Sequence, residues 1–506
     1  MKIYMPNSNI DLDGSLTFPK DFDEFSSASK LNATVINIPK ISDQKFKFSE
    51  EDTITKDLFE EDGYSHSVTE VQSELKTELN DIVIENITKK EPNQFLSFVL
   101  SKIDKFISLE NMIFGLIVFL ALYIRIIFFP VKTGDYNNFL FHWMKYITDH
   151  DGIFAFKEKF FDYTPPYLYL LLVGTMTNIN GLVWVKSVSV FFDFVAAAAI
   201  ARIIWLKNKT VWKYAFISVL MMPALIIDGA WQGQCDVIYS AFVMISLLCI
   251  LTKKYFRSFV FFALGFVFKS QSIFFSPVFW FLTLTKNLKT SSLPLIGGVC
   301  AFLYGLAILP AYIVGRPLFD TYDPITKAIT KDDGLLTIFF NQSRVYSGIV
   351  MGGIPNLYQW IDNSQYAYFY PAGIMICLVF ILTLGLYIHK QNIHKISNDL
   401  IIKIALLTTL AAPYLLPKMH ERYMFLADLI SIIYAFYFPK KFWVAILIQL
   451  VSLTVYIRYT IGGNIPNILD ANFAAVWIFG IITYLFYDVI TTFRSEKEAQ
   501  ETLKSN

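Results

Sequence analysis

The sequence predicts an all-α, polytopic integral membrane protein with about twelve transmembrane helices. Three observations carry that prediction. Of 506 residues, 55% are hydrophobic, 17% are charged and 48 are Phe; the mean hydropathy is +0.46, more apolar material than one soluble core buries. Near-continuous apolar runs of about 15–22 residues recur from Leu109 onward, close to the length that crosses a bilayer. Basic residues gather in short clusters between those runs, as cytoplasmic loops require. The net charge of +1 argues against a nucleic-acid partner held by bulk electrostatics. Four Cys without a CxxC, with Cys249, Cys300 and Cys377 inside apolar runs, argue against a disulfide scaffold or a zinc ribbon.

Taken from the N-terminus, residues 1–108 form an acidic region with 20 Asp and Glu against 12 Lys, a charge of −8. It holds no span-length apolar run and no basic stretch followed by a hydrophobic one, so it does not read as a signal peptide. Ala33–Ile38 and Phe46–Phe48 have strand-like composition, and Val68–Leu79 is helix-like. Apolar residues are too few to offset the entropy of ordering, so the reading is a partly disordered cytoplasmic tail rather than a small domain.

The membrane domain covers 109–493, and 494–506 is a short cytoplasmic tail. Six basic clusters set its orientation: Lys207/Lys209/Lys213, Lys253/Lys254/Arg257, Lys286/Lys289, Lys390/Lys395, Lys440/Lys441 and Arg494. Placing all of them inside gives spans at 110–130, 187–206, 213–229, 237–252, 257–270, 272–285, 293–313, 371–388, 400–416, 424–438, 442–459 and 473–492. Both termini are then cytoplasmic. The fifth and sixth spans are short and are expected to tilt or to meet within the membrane.

Two long segments, Val131–Lys186 and Val314–Tyr370, fall on the outer face. The run from Tyr163 to Ile179 opens with Thr164-Pro165-Pro166. Proline suits a first helical turn, and counting this run as a span would turn the lysine clusters outward, so it reads as an interfacial or re-entrant helix. Asn138–Thr148 reads as a second, amphipathic helix lying on the membrane. Two long loops on one face suit an enzyme better than a transporter.

The residues able to carry chemistry lie on that same face. Gly134-Asp135-Tyr136 is followed by His142 and Trp143. An acid at the mouth of a membrane cavity can take the proton from an attacking hydroxyl; it can equally be a solvated acid capping the interfacial helix. Trp231-Gln232-Gly233-Gln234-Cys235-Asp236 places a second acid beside Trp231 and Gln234, groups that stack on and hydrogen-bond to a sugar, or that form an N-cap and an aromatic belt. Lys269 and Gln271 interrupt an apolar stretch, and a cation there either snorkels or meets an anion such as a lipid phosphate. Pro417-Lys418-Met419-His420-Glu421-Arg422-Tyr423 brings Lys418 and Arg422 together with His420, a compact anion site or a rim of interfacial charge. Arg125 and Asp193, inside the first two spans, neutralise one another or act directly. Arg316 and Arg344 in the second outer loop are further candidate phosphate contacts. No His/Cys/Asp cluster has metal-ligand spacing.

As a set, these motifs resemble the GT-C superfamily of polytopic glycosyltransferases, over about 120–430. Gly134-Asp135-Tyr136 with His142-Trp143, and Asp162-Tyr163-Thr164-Pro165-Pro166-Tyr167, resemble the first loop of the dolichyl-phosphate-glucose glucosyltransferases. Trp231 to Ser240, Phe268-Lys269-Ser270-Gln271 and His420-Glu421-Arg422-Tyr423 are more similar to the second mannosyltransferase of GPI-anchor assembly and its bacterial relatives. That family commonly reads Trp-Gly-Gln-x-Asp; here an extra Gln follows the Trp. The resemblance implies a GT-C-like fold with interfacial helices in the first outer loop. It also implies inverting transfer of a mannosyl or other hexosyl unit from a polyprenyl-phosphate sugar to a glycan or glycolipid acceptor. Asp135 would be the base, Asp236 would hold a sugar, and Lys269, His420 and Arg422 would hold the donor phosphate, with no cofactor and no divalent metal. The compact bacterial relatives point to a bacterial cell membrane, or to the ER membrane in a eukaryote, where Asn341-Gln342-Ser343 would be a lumenal sequon.

Two other classes compete. A lipid-linked-glycan flippase or transporter predicts internal repeats and charges near mid-membrane, and the two halves show no clear repeat. A non-catalytic scaffold predicts a decayed site, whereas the acids and the phosphate-type cations are all present.

Overall fold

The computed structural model describes residues 108–326, 328–344, 348–461 and 470–505. The acidic region 1–107, with its strand-like and helix-like stretches, lies outside them. The protein is an all-α membrane protein; among the described residues the one small exception is a two-stranded antiparallel ribbon, β1 (Thr321–Tyr322) and β2 (Ile329–Lys331).

All twelve apolar runs fall on helices. Seven are long and apolar enough to cross a membrane singly: α1 (Leu109–Ile127), α4 (Gly181–Lys207), α10 (Ser292–Ile313), α12 (Tyr366–Gln391), α13 (Asn398–Leu415), α15 (Trp443–Ile461) and α16 (Ala471–Ser505). An eighth is possible if α5 (Trp212–Leu220) and α6 (Pro223–Leu225, continued by a π-helix to Gln232) form one span bent by 47°. Four runs make shorter apolar helices: α7 (Asp236–Leu251), α8 (Tyr255–Phe268), a 3₁₀ turn Ser270–Phe275 leading into α9 (Ser276–Leu284), and α14 (Phe425–Tyr437). At 1.5 Å per residue such helices reach only about 20–24 Å, so length alone supports seven or eight crossings rather than twelve.

The short helices have a geometric consequence. Ser189 of α4 donates to the carbonyl of Gln234, just before α7 begins, at 2.6 Å. Yet α4 itself starts at Gly181, roughly 12 Å further along its axis. The end of α7 is therefore sunk below the end of the bundle. The first of the two long segments fills that rim with helices: a π-turn Tyr136–Leu140 running into α2 (Phe141–Asp149), and α3 (Pro165–Thr175), which has Pro in its first turn. The stretch read as one amphipathic helix over 138–148 thus divides into a π-turn and an α-helix.

Apart from the buried Arg125–Asp193 pair, the ion pairs of the helices gather toward their two ends. At one end Lys207 meets Asp399 at 2.6 Å and Lys213 meets Glu110 at 2.8 Å. Asp488 there takes Lys441 at 2.6 Å, Lys403 at 2.9 Å and the Tyr434 hydroxyl at 2.7 Å. The other end carries the acids and cations singled out above. In the second long segment Asn341 (α11, Ile338–Arg344) donates its amide to both oxygens of buried Asp320, at 3.0 and 3.2 Å, and to the Asp332 carbonyl. The sequon nitrogen is thus committed to holding that loop.

Gly174 in α3 lies against Trp184 of α4, whose indole N–H donates to the Leu170 carbonyl at 2.8 Å. A Cβ at Gly174 would come within 2.3 Å of the indole ring. Gly174→Ala should therefore lower the thermal unfolding midpoint in detergent, at a cost of about 1–3 kcal/mol for overpacking; an unchanged midpoint would contradict this contact.

Candidate functional site

Asp135 ends the loop after α1, where Lys186 of α4 fixes the chain by donating to the Phe128 and Val131 carbonyls, each at 2.6 Å. Its carboxylate is about one-fifth exposed and accepts from three elements distant in sequence. Gln234 Nε2 donates to Oδ2, Tyr459 Oη donates to Oδ1 at 3.1 Å, and Arg422 Nη1 stands 3.4 Å from Oδ2.

The π-helix explains how Gln234 arrives there. Widening the turn over Ile226–Gln232 and ending it at Gly233, in the left-handed region at φ 74°, swings the Gln232–Gln234 backbone across the bundle. Gln232 then donates to Thr460 Oγ1 at 2.7 Å, and its carbonyl accepts from Thr133 at 3.1 Å. Tyr459 and Thr460 belong to a polar face of α15. One turn deeper Tyr456 donates to buried Asp228 at 3.2 Å, and further down Ser452 donates to buried Asp428 at 2.7 Å. Sequence reasoning missed Asp228, Tyr456 and Tyr459; the polar spacing 452, 456, 459 along one apolar run was the signal that could have found them.

Asp236, fully buried at the start of α7, takes both its oxygens 2.8 Å from Lys269 Nζ, with Arg422 Nε 3.6 Å away. Lys269 sits in the break between α8 and the 3₁₀ turn, in extended backbone, and its ammonium lies 5.5 Å from the centre of the Tyr163 ring. Arg422 also holds Glu421 Oε1 at 2.9 Å, and His420 Nδ1 lies 3.8 Å from Glu421 Oε2. Burial alone would raise the Glu421 carboxyl, but the His420 hydrogen bond and the Arg422 charge outweigh it and hold it below its ordinary value. Burial raises the Tyr163 phenol. In this cluster Asp135, Asp236 and Glu421 meet Lys269 and Arg422, so the two permanent cations are already matched by carboxylates.

Two adjoining cavities open here. The smaller, about 190 Å³, is lined by Asp135, Trp143, Tyr163, Gln234, Lys269, Gln271, His420, Arg422 and Tyr459, with Phe139, Phe268, Phe339 and Tyr423 adding aromatic faces. Trp143 and Tyr163 meet edge to face at 5.5 Å. The larger, about 810 Å³, shares Gln271, His420, Tyr423 and Tyr459 with it and extends past Tyr370, Lys418 and Arg458. Among the described residues no three His, Cys, Asp or Glu side chains are grouped as a metal ion needs.

Several residues proposed from sequence line neither cavity. Arg125 is sealed in a pair with Asp193 at 2.7 Å, both side chains at 0% exposure. Trp231 stacks on Phe128 at 4.8 Å. His142 and Arg344 are exposed, and Arg316 is buried, donating to the Asp333 carbonyl at 2.9 Å. Physically, Arg125 and Asp193 met because two charges inside apolar helices lower their cost by pairing. Arg125→Lys keeps that charge but loses its fork geometry. It should cost about 1.5–3 kcal/mol of stability and leave activity per folded molecule unchanged; a fall in specific activity would give Arg125 a direct role.

No protein-family model matches the chain, and no curated protein matches it.

Proposed function

We propose that the protein is a membrane glycosyltransferase moving a hexosyl unit, mannosyl or another, from a polyprenyl-phosphate donor to a lipid-linked or surface glycan. In this reading the twelve helical runs all serve as crossings, the short ones recessed from the outer face, with the lysine-rich end in the cytoplasm and the cavities facing out. The chain would sit in a bacterial cell membrane, or in the ER membrane of a eukaryote.

The observation that carries the proposal is Asp135 itself. It is a partly exposed carboxylate, oriented by Gln234, Tyr459 and Arg422, in an aromatic cavity with room for one sugar ring. In the proposed reaction the acceptor hydroxyl gives its proton to Asp135 while its oxygen attacks the anomeric carbon. The bond from that carbon to the phosphate oxygen breaks, and its electrons leave with the phosphate. Attack from the side opposite the leaving group inverts the anomeric centre. Asp236, expected from sequence to hold a sugar, lines neither cavity and is fully buried; locked to Lys269, it fixes that lysine in the wall of the smaller one. His420, which lines both cavities, stands where the negative charge on the leaving phosphate builds up.

A second reading, a lipid-linked-glycan flippase, draws on the 47° break between α5 and α6, since interrupted helices also mark transport sites. The deciding experiment supplies purified protein with polyprenyl-phosphate mannose or glucose and lipid-extract acceptors, and follows elongated product by mass spectrometry. Product formation supports the transferase. Movement of a fluorescent lipid-linked glycan across vesicles without elongation favours the flippase.

A further inference from the structure

The charge balance of the two cavities differs. In the smaller one Lys269 is occupied by both oxygens of Asp236, and Arg422 by Glu421, Asp135 and Asp236. An incoming phosphate would have to displace a buried carboxylate to use either cation, and would add negative charge to three carboxylates. The larger chamber is arranged differently. Lys418 and Arg458 both line it, and neither has a carboxylate partner among the described residues. Glu421 also lines it, but its charge is taken by Arg422 at 2.9 Å. Asp470, just before the chamber residue Ala471, is occupied in capping α16, accepting from the Asn472 and Phe473 N–H groups at 2.9 and 3.2 Å.

Lys418 is held in place. Its backbone lies in the left-handed region at φ 62°, its N–H donates to the Val350 carbonyl at 2.7 Å, and Gly352 packs so closely that a Cβ there would lie 2.6 Å from the Met419 carbonyl. Its ammonium donates to the Ser343 carbonyl at 2.5 Å and sits 5.3 and 5.7 Å from the Tyr370 and Tyr366 rings. One contact and two ring faces leave N–H donors over for a ligand.

We infer that the large chamber binds a phosphate group of a lipid-linked substrate between Lys418 and Arg458, while the sugar to be transferred occupies the small cavity. His420, at the junction of the two, then lies between the phosphate and the reacting carbon. The substrate named here rests on the proposed function; the anion site rests on the two cations.

The test measures binding to full-length protein in detergent by native mass spectrometry, with two phosphate probes. Farnesyl phosphate stands for a prenyl-phosphate donor and glycerol phosphate for a phosphate carried by the acceptor; farnesol is the control without a charge. At least one phosphate probe should bind, and Lys418→Gln with Arg458→Gln should weaken it about 10-fold or more, the scale of losing charge-assisted contacts. Lys418→Arg should retain binding, and a matching thermal midpoint for the double variant shows that it is folded. Loss with farnesyl phosphate assigns the site to the donor, and loss with glycerol phosphate alone assigns it to the acceptor. Binding unaltered in the double variant, no phosphate binding at all, or equal binding of farnesol overturns the inference. Sugar transfer is read separately. A phosphate site without transfer leaves the inference standing and removes the transferase, whereas transfer undiminished by the double variant removes the inference and keeps the transferase.

Discussion

Asp135→Asn is expected to lower sugar transfer by about 10²-fold or more, the scale of losing a positioned general base. The substituted amide keeps one oxygen, which can accept either from Tyr459 on the Oδ1 side or from Gln234 and Arg422 on the Oδ2 side, so part of the local frame survives. It cannot take the proton. Because the side chain is about one-fifth exposed, the thermal midpoint should stay close to wild type. The measurement is product formed per folded molecule at saturating donor. Transfer retained at near wild-type rate would move the base elsewhere, and Asp236, buried and paired to Lys269, would be a poor substitute. Tyr459→Phe offers a graded control: it removes one hydrogen bond to Asp135 and leaves the carboxylate, so its loss should be clearly smaller.

The second large effect concerns stability. Lys269→Met leaves Asp236 buried with only Arg422, 3.6 Å away, to offset its charge. Breaking a buried pair costs about 3–5 kcal/mol, mostly because the remaining charge is uncompensated. Asp236→Asn should cost a similar amount by stranding the ammonium. The double variant Asp236→Asn with Lys269→Met removes both charges and should recover much of that loss. Equilibrium unfolding in mixed micelles checks this through the coupling between the two substitutions. Simple additivity would mean that the pair is not the interaction holding α7 to the break after α8.

Much of the architecture was legible because membrane physics leaves few options. Apolar runs marked the helices, and charges inside or beside them stood out against so apolar a background. Asp135, Gln234, Asp236, Lys269, Gln271, His420 and Arg422 were all visible in this way, and the fold gathers them at one end of the bundle. Tyr459 escaped because a tyrosine near a helix end is equally at home in an aromatic belt. Asp228 escaped because it hides in a run whose π-turn no periodicity announces. Arg125 could be read either way, and only the fold shows its charge taken up by Asp193. The number of crossings could not be read from run lengths, since the short helices are those that frame the recessed cavity.

The spacing of the buried pairs along the chain bears on how the protein is made. Arg125 and Asp193 are 68 residues apart, and Asp236 and Lys269 only 33. Synthesis proceeds from the N-terminus, so these two pairs can close soon after their second members emerge. Two of the three contacts that shape Asp135 come much later: Arg422 follows it by 287 residues and Tyr459 by 324. A nascent chain can therefore pair these four buried charges long before the cavity around Asp135 is complete, which separates safe insertion from the assembly of that cavity.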